Sequence, residues 1–203
     1  MKAGRRRQGR YTRIYLLVRV DSVISRTRTL ELLEYDPMSG IFTNRIKRWR
    51  AKAGTRAGSP YGRGYRGISL DGLKYYEHHL AWLIVHGGWP ASDLDHIDGN
   101  HSNNSIANLR LATASQNLAN GGGWANGSSG LRGVYLDRRR LHVRAWRAQI
   151  QVDGRAIHLG SYYTPEEAHA AYLKAANLYF GKYARHNRAQ QPTMEICQWL
   201  PTP

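Results

Sequence analysis

The chain holds one cysteine, Cys197, in 203 residues. That excludes an internal disulfide framework and any cysteine-rich structural zinc site. Acids are also scarce. Fourteen Asp and Glu stand against 30 Lys and Arg, a formal net charge of +16, so an anionic partner is the first expectation. No apolar run approaches the roughly 18 residues of a membrane span. The best one, Ile14 to Val20, is interrupted by Arg19 and lacks the long apolar core and small-residue cleavage site of a signal peptide. The expectation is therefore a cytoplasmic protein with no membrane partner. Apolar residues make up 41% of the chain and charged residues 22%, enough to bury a core, which excludes wholesale disorder.

The positive charge is unevenly spread. Residues 1–30 carry nine Lys or Arg and one acid, and residues 37–70 carry eight and none. Residues 71–117 reverse the balance, with Lys74 and Arg110 against Asp71, Glu77, Asp93, Asp95 and Asp98. Residues 131–160 return to seven basic against two acidic. A locally acidic segment between basic flanks is consistent with solvated surface charge. It is equally consistent with a carboxylate-bearing metal site between two phosphate-gripping regions.

Local patterns set out the organisation. Residues 1–28 read as a basic arm. Residues 30–36 suggest a short helix ending before Pro37, because a residue preceding proline avoids helical geometry. Asp71-Gly72 between two apolar runs is a hairpin signal. Leu80, Leu83 and Ile84 fall at helical spacing, and that helix should stop at Gly87-Gly88. Residues 121–129 read as a linker rich in glycine, asparagine and serine. Three strand-like runs follow, at 133–136, 145–152 and 155–160. Thr164-Pro165-Glu166-Glu167 is a helix start, with an N-cap hydroxyl, proline at the first helical position and acids at the positive dipole end. The tail is 189–203.

The segment that carries chemistry is Leu94-Asp95-His96-Ile97-Asp98-Gly99-Asn100, continuing through Asn108-Leu109-Arg110 to Gln116-Asn117. Upstream stand Leu33-Glu34-Tyr35-Asp36-Pro37, Gly40, Ala53-Gly54, Gly64-Tyr65 and His78-His79-Leu80-Ala81-Trp82. Together these resemble the phage-type HNH endonuclease family, which includes homing endonucleases, and its ββα-metal motif. The resemblance implies that His96 is a general base, that Asn108 holds the loop and orients His96, and that Asp95 and Asn117 ligate one divalent metal. Two oxygen ligands favour Mg²⁺ or Mn²⁺ over zinc. A neutral histidine titrating near neutrality suits proton abstraction from water. Asp98 is expected in a turn and His101 in an exposed loop. His78 is expected to pack or touch phosphate, and His79 stands where the family usually has arginine.

Residues 130–188 resemble the AP-two/ERF-type DNA-binding domain. The matching residues are Arg132-Gly133-Val134, Trp146-Arg147-Ala148-Gln149-Ile150, Leu159-Gly160-Ser161-Tyr162, Glu166-Glu167-Ala168 and Ala170-Ala171-Tyr172. The resemblance implies three antiparallel strands on one helix, with the sheet laid in the DNA major groove. Strand alternation places Trp146, Ala148 and Ile150 inward. It places Arg132, Tyr135, Arg147, Gln149, Gln151 and His158 outward, where Arg and Gln can read base edges. Arg138, Arg139, Arg140 and Arg144 suit phosphate contact.

The expectation is thus an α+β chain: a 29–120 nuclease module of ββα-metal type, then a three-stranded antiparallel sheet packed on one helix. It would be a monomeric, phage-encoded, Mg²⁺-dependent endonuclease on double-stranded DNA. Two rivals are a DNA-binding regulator with an inert HNH fold, and a structure-directed nuclease acting on branched DNA or RNA.

Overall fold

Ser25 sets the first helix earlier than the sequence pattern predicts. Its hydroxyl accepts from the Arg28 amide, which caps α1, Arg26–Leu32. Residues 33–36, expected to continue a helix, instead form β1, Leu33–Asp36, paired antiparallel with β2, Ile41–Asn44. The pairing wins because it buries Leu33 on the same face as Phe42 and leaves Glu34 exposed, an alternation a helix would not permit. The arm expected over 1–28 therefore ends sooner, since Ile24 is already in the core and Arg26 is helical. The computed structural model describes residues 23–48, 50–121, 129–140 and 144–190. Most of the expected arm, linker and tail, with Ile14–Val20 and Cys197, lies outside the described residues.

Packing divides the chain into two units. The first includes residues 23–48, 50–96 and 100–111, and the second includes 97–99, 112–121, 129–140 and 144–190. The first unit continues with β3, Ser59–Pro60, β4, Arg66–Leu70, and β5, Leu73–Tyr76, in the order β3-β4-β5. The hairpin joining β4 and β5 turns at Asp71-Gly72, both at positive φ as this two-residue turn requires. Next come α2, Glu77–His86, which ends at left-handed Gly87, and β6, Asp93–His96, paired with β7, Leu109–Ala112. The core is Leu32, Leu33, Phe42, Ile68, Leu70, Leu80 and Leu109.

In the second unit α3, Ala114–Asn120, opens on a capping box between Thr113 and Gln116. Strands β8, Val134–Leu136, β9, Trp146–Val152, and β10, Arg155–Tyr162, form one antiparallel sheet in the order β10-β9-β8. Helix α4, Pro165–Phe180, packs on it and carries the expected Thr164 cap and N1 proline. Its alanines lie close to the sheet, and Ala148 and Ala168 are fully buried. Helix α3 belongs to this unit because Ala119 packs with Ile150, Tyr172 and Phe180, so the division falls before α3 rather than in the expected linker. Among the described residues no helix is long and apolar enough to cross a membrane.

The turn between β1 and β2 clamps a distant loop. The Tyr35 hydroxyl donates to the Asn104 carbonyl at 2.8 Å. Pro37 O accepts from the Ile106 amide at 3.1 Å and from the Ser105 hydroxyl at 3.1 Å. Gly40, at φ +70°, lies so close that a Cβ would strike the backbone of Asn104 and Ser105. Gly87 has a similar φ, +79°, but nothing within 4 Å of a Cβ. Gly40→Ala is expected to destabilise by about 2–4 kcal/mol, combining left-handed strain with a backbone collision, and Gly87→Ala by about 1 kcal/mol. Urea midpoints at constant m-value compare them, and equal losses would contradict the clamp.

Candidate active site

Strand β6 ends in Asp95 and His96, both buried although polar. A buried imidazole needs partners, and the His96 ring finds one at Nε2, which lies 3.1 Å from Asn104 Oδ1. Asn104 is 1% exposed. Its Nδ2 donates to Glu77 Oε2 at 3.0 Å. Glu77, at the start of α2, is fully buried and accepts from Arg66 Nε at 3.0 and 3.2 Å on its two oxygens. Arg66 is tied in turn to Gly58 O at 3.1 Å. A single line of polar groups thus runs from β4 through α2 and the 103–106 loop to His96.

Asn108 acts on the same loop. Its Nδ2 donates to Asn103 O at 2.8 Å. That contact ties Asn108 to the loop from which Asn104 reaches the His96 ring at Nε2. Asp95 is held by Arg110, whose Nε and Nη2 approach Oδ2 at 2.8 and 2.7 Å. Asn117 lies in the second unit, on the first turn of α3 after its cap.

Aromatic rings surround His96. His78 meets it edge-on at 5.1 Å and Tyr65 at 6.0 Å. His101 stacks on Tyr65 at 4.2 Å with rings 6° from parallel, and its Nδ1 donates to Arg63 O at 2.9 Å. His101 is thus half-buried and anchored rather than loosely exposed. His78 is buried among these rings, as packing requires. Burial lowers its pKa well below the usual imidazole range and, together with the neighbouring His96, lowers His79 to about 4. Both are neutral near pH 7, so neither supplies the cation of the arginine expected at position 79.

Asn104, Glu77, Arg66 and Arg110 carry no motif that marks them as site residues in the sequence. The available signal was slight: Glu77 is the one acid between Asp71 and Asp93. Among the described residues no group of three or more His, Cys, Asp and Glu could hold a metal. Asp95 and Asn117 offer one carboxylate and one amide oxygen. Each is a hard oxygen donor of the kind taken by Mg²⁺, an ion commonly bound by one or two protein oxygens with water and substrate phosphate.

In the second unit the outward sheet face carries Tyr135, Arg147, Gln149, Gln151 and His158 in register: Tyr135 opposite Arg147, and Gln149 opposite His158. The Tyr135 hydroxyl donates to Gln149 Oε1 at 3.3 Å, and the Arg147 guanidinium sits 5.7 Å from the Tyr135 ring centre. Arg147 also reaches Asp137 at 3.5 Å. Arg138 and Arg139 are exposed on a 3₁₀ turn, and Arg144 lies over the Tyr163 ring at 5.1 Å. The side chain of Arg140 lies outside the described residues. Arg132 departs from its expected outward place. Its guanidinium donates to the carbonyls of Leu118, Ala119 and Gly121 at 2.6–2.8 Å. The reason is the end of α3, whose last carbonyls lack helical partners and attract a cation.

Arg66→Met is expected to cost about 3–5 kcal/mol near neutral pH, because Glu77 stays buried without its cation. Burial already raises the Glu77 pKa above the ordinary carboxylate value, with Arg66 opposing. A carboxyl with a raised folded pKa contributes stability present below its unfolded pKa and lost as pH rises through the folded one. Losing Arg66 raises that pKa further, so the variant's deficit should shrink from about pH 7 to about pH 5. Urea unfolding at the two pH values measures it, and a deficit independent of pH would contradict the charge assignment.

Residues 75–119, from the end of β5 through α3, match the family model described as HNH endonuclease. The chain is 32% identical over 123 residues to an uncharacterized HNH endonuclease of Acanthamoeba polyphaga mimivirus, covering 60% of this chain and 62% of that protein. It is 33% identical over 79 residues to Protein 3.8 of Escherichia phage T7, covering 38% of this chain and 63% of the phage protein. The matches thus span less than two thirds of either relative. No solved structure matches. The polar line through Glu77, Asn104 and His96 therefore lies within the segment that matches the HNH endonuclease model.

Proposed function

We propose that the protein is a metal-dependent endonuclease that hydrolyses phosphodiester bonds of double-stranded DNA, with a nuclease module over residues 29–120 and an AP-two/ERF-type DNA-binding module over 130–188. The observation that carries this is a buried histidine, His96, next in sequence to Asp95 and held through one ring nitrogen inside the segment that matches the family model. In this reading His96 takes the proton from the attacking water. Asn108 keeps the 103–104 loop in place. Asp95 and Asn117 would hold one Mg²⁺ or Mn²⁺ in a ββα-metal arrangement. That ion would supply Lewis-acid stabilisation of charge developing on the phosphate and leaving oxygen. Arg110 keeps the Asp95 carboxylate fixed in orientation from the neighbouring strand.

The second module is proposed to choose the site. Arg147, Gln149, Gln151, Tyr135 and His158 share one sheet face, and Arg and Gln have the donor and acceptor pattern for guanine and adenine edges. Arg138, Arg139, Arg140 and Arg144 would hold phosphates. Arg132 is left out of this set because it is engaged by α3. A net charge of +16 supports a polyanionic partner.

Purified protein with supercoiled plasmid should produce nicked or linear DNA in Mg²⁺ or Mn²⁺ and none in EDTA. Full activity in EDTA would overturn the metal assignment. On a preferred duplex, Arg147→Ala should cost about 1–3 kcal/mol and relax preference at one position. Arg139→Ala should weaken binding to all sequences alike and reduce the salt slope by about one. Titrations on preferred and scrambled duplexes at several salt concentrations separate the two, and identical behaviour of both variants would remove the sheet face as the reader.

A further inference from the structure

We infer that Asn104 and Glu77 are positioning residues that fix the protonation geometry of the His96 ring, leaving its basic lone pair on Nδ1. The inference rests on the proposed role of His96 as base, but its first test does not depend on activity.

Donors and acceptors alternate along the line. Arg66 can only donate, and its Nε is bonded to both Glu77 oxygens, so the carboxylate accepts at each. Asn104 meets Glu77 Oε2 at 3.0 Å and therefore presents its NH₂ there. The flipped amide would set two acceptors against each other. With the NH₂ committed, only Oδ1 faces His96, 3.1 Å from Nε2. Oδ1 cannot donate, so Nε2 carries the hydrogen and the neutral ring keeps its lone pair on Nδ1.

Nothing in this line is mobile by construction. Glu77 and Asn104 are 0% and 1% exposed. The Asn104 backbone is clamped by Tyr35 and Gly40, and a Cβ on Gly58 would strike Glu77 Oε1. Asn108 donates to a backbone carbonyl of the same loop, at Asn103. Catalysis by a base depends on holding the correct nitrogen toward the water, and removing such an orienting partner typically lowers activity by about 10–100-fold in comparable supporting shells.

The first measurement is the ¹H–¹⁵N spectrum of ¹⁵N-histidine-labelled protein at about pH 8, where an ordinary imidazole is neutral. The expected result is a His96 ring proton on Nε2, protected from exchange, and its loss in Asn104→Leu. A ring proton on Nδ1 would overturn the inference, whether or not the protein cuts DNA. A wild type that fails to cut while showing the Nε2 proton would overturn the nuclease reading alone. The second measurement is kinetic. Asn104→Leu should lower kcat by about 10–100-fold with KM little changed, and unchanged kcat would overturn the inference. A charge swap covers the case in which that variant does not fold. Asn104→Asp alone sets two carboxylates together, whereas combining it with Glu77→Gln restores an acceptor toward Nε2 and a donor toward the new carboxylate. The double variant should recover most of the kcat that Asn104→Asp loses, and additive losses would count against the line.

Discussion

The first unit is organised around a carboxylate that has no access to water. A buried charge must be paired and hydrogen-bonded or it destabilises the fold. Glu77 meets that demand with Arg66 on one side and Asn104 on the other. The demand propagates outward. Position 58 must lack a side chain, Arg66 must be anchored at Gly58 O, and the 103–106 loop must come in to deliver Asn104. Tyr35, Pro37 and Gly40 hold that loop from the β1–β2 turn. His96 receives a hydrogen-bond partner for Nε2 from the far end of this chain of requirements.

Much of this was legible in the sequence, but only where the signal is local. The Asp71-Gly72 hairpin, the Thr164-Pro165 helix start and the Gly87 stop rest on turn and cap chemistry, which acts over a few residues. The spacing of Asp95, His96, Asn108 and Asn117 was visible through resemblance, as was the Tyr35-Asp36-Pro37…Gly40 signature, although not its purpose. That purpose needs contacts 69 residues apart, between Tyr35 and Asn104, which periodicity cannot report. The helix expected at 30–36 failed for the same reason. Strand β1 is decided by its partner β2, not by its own composition. Arg132 was misplaced because alternation along a strand says nothing of a helix end that competes for the side chain.

Arginines are used in more than one way along the chain. In the first unit, Arg66 pairs with Glu77 and Arg110 with Asp95. In the second, Arg138, Arg139 and Arg144 are exposed, while Arg147 is only partly engaged by Asp137 and Tyr135. An arginine leaning on an aromatic ring and a carboxylate is ordered before any ligand arrives, which reduces the entropy lost on contact. In the proposed function, the buried pairs shape the cutting site and the exposed arginines of the second unit would meet phosphate and base edges.

The claim that most of this account depends on is that His96 performs the proton transfer. The direct measurement is single-turnover cleavage of a pre-bound duplex in Mg²⁺ by wild type and His96→Ala, with binding measured on the same samples. The account predicts a cleavage rate lower by about 10²–10⁴-fold with DNA affinity nearly unchanged, since a general base contributes to rate and little to phosphate contact. Equal rates for the two proteins, with both folded and bound, would contradict it.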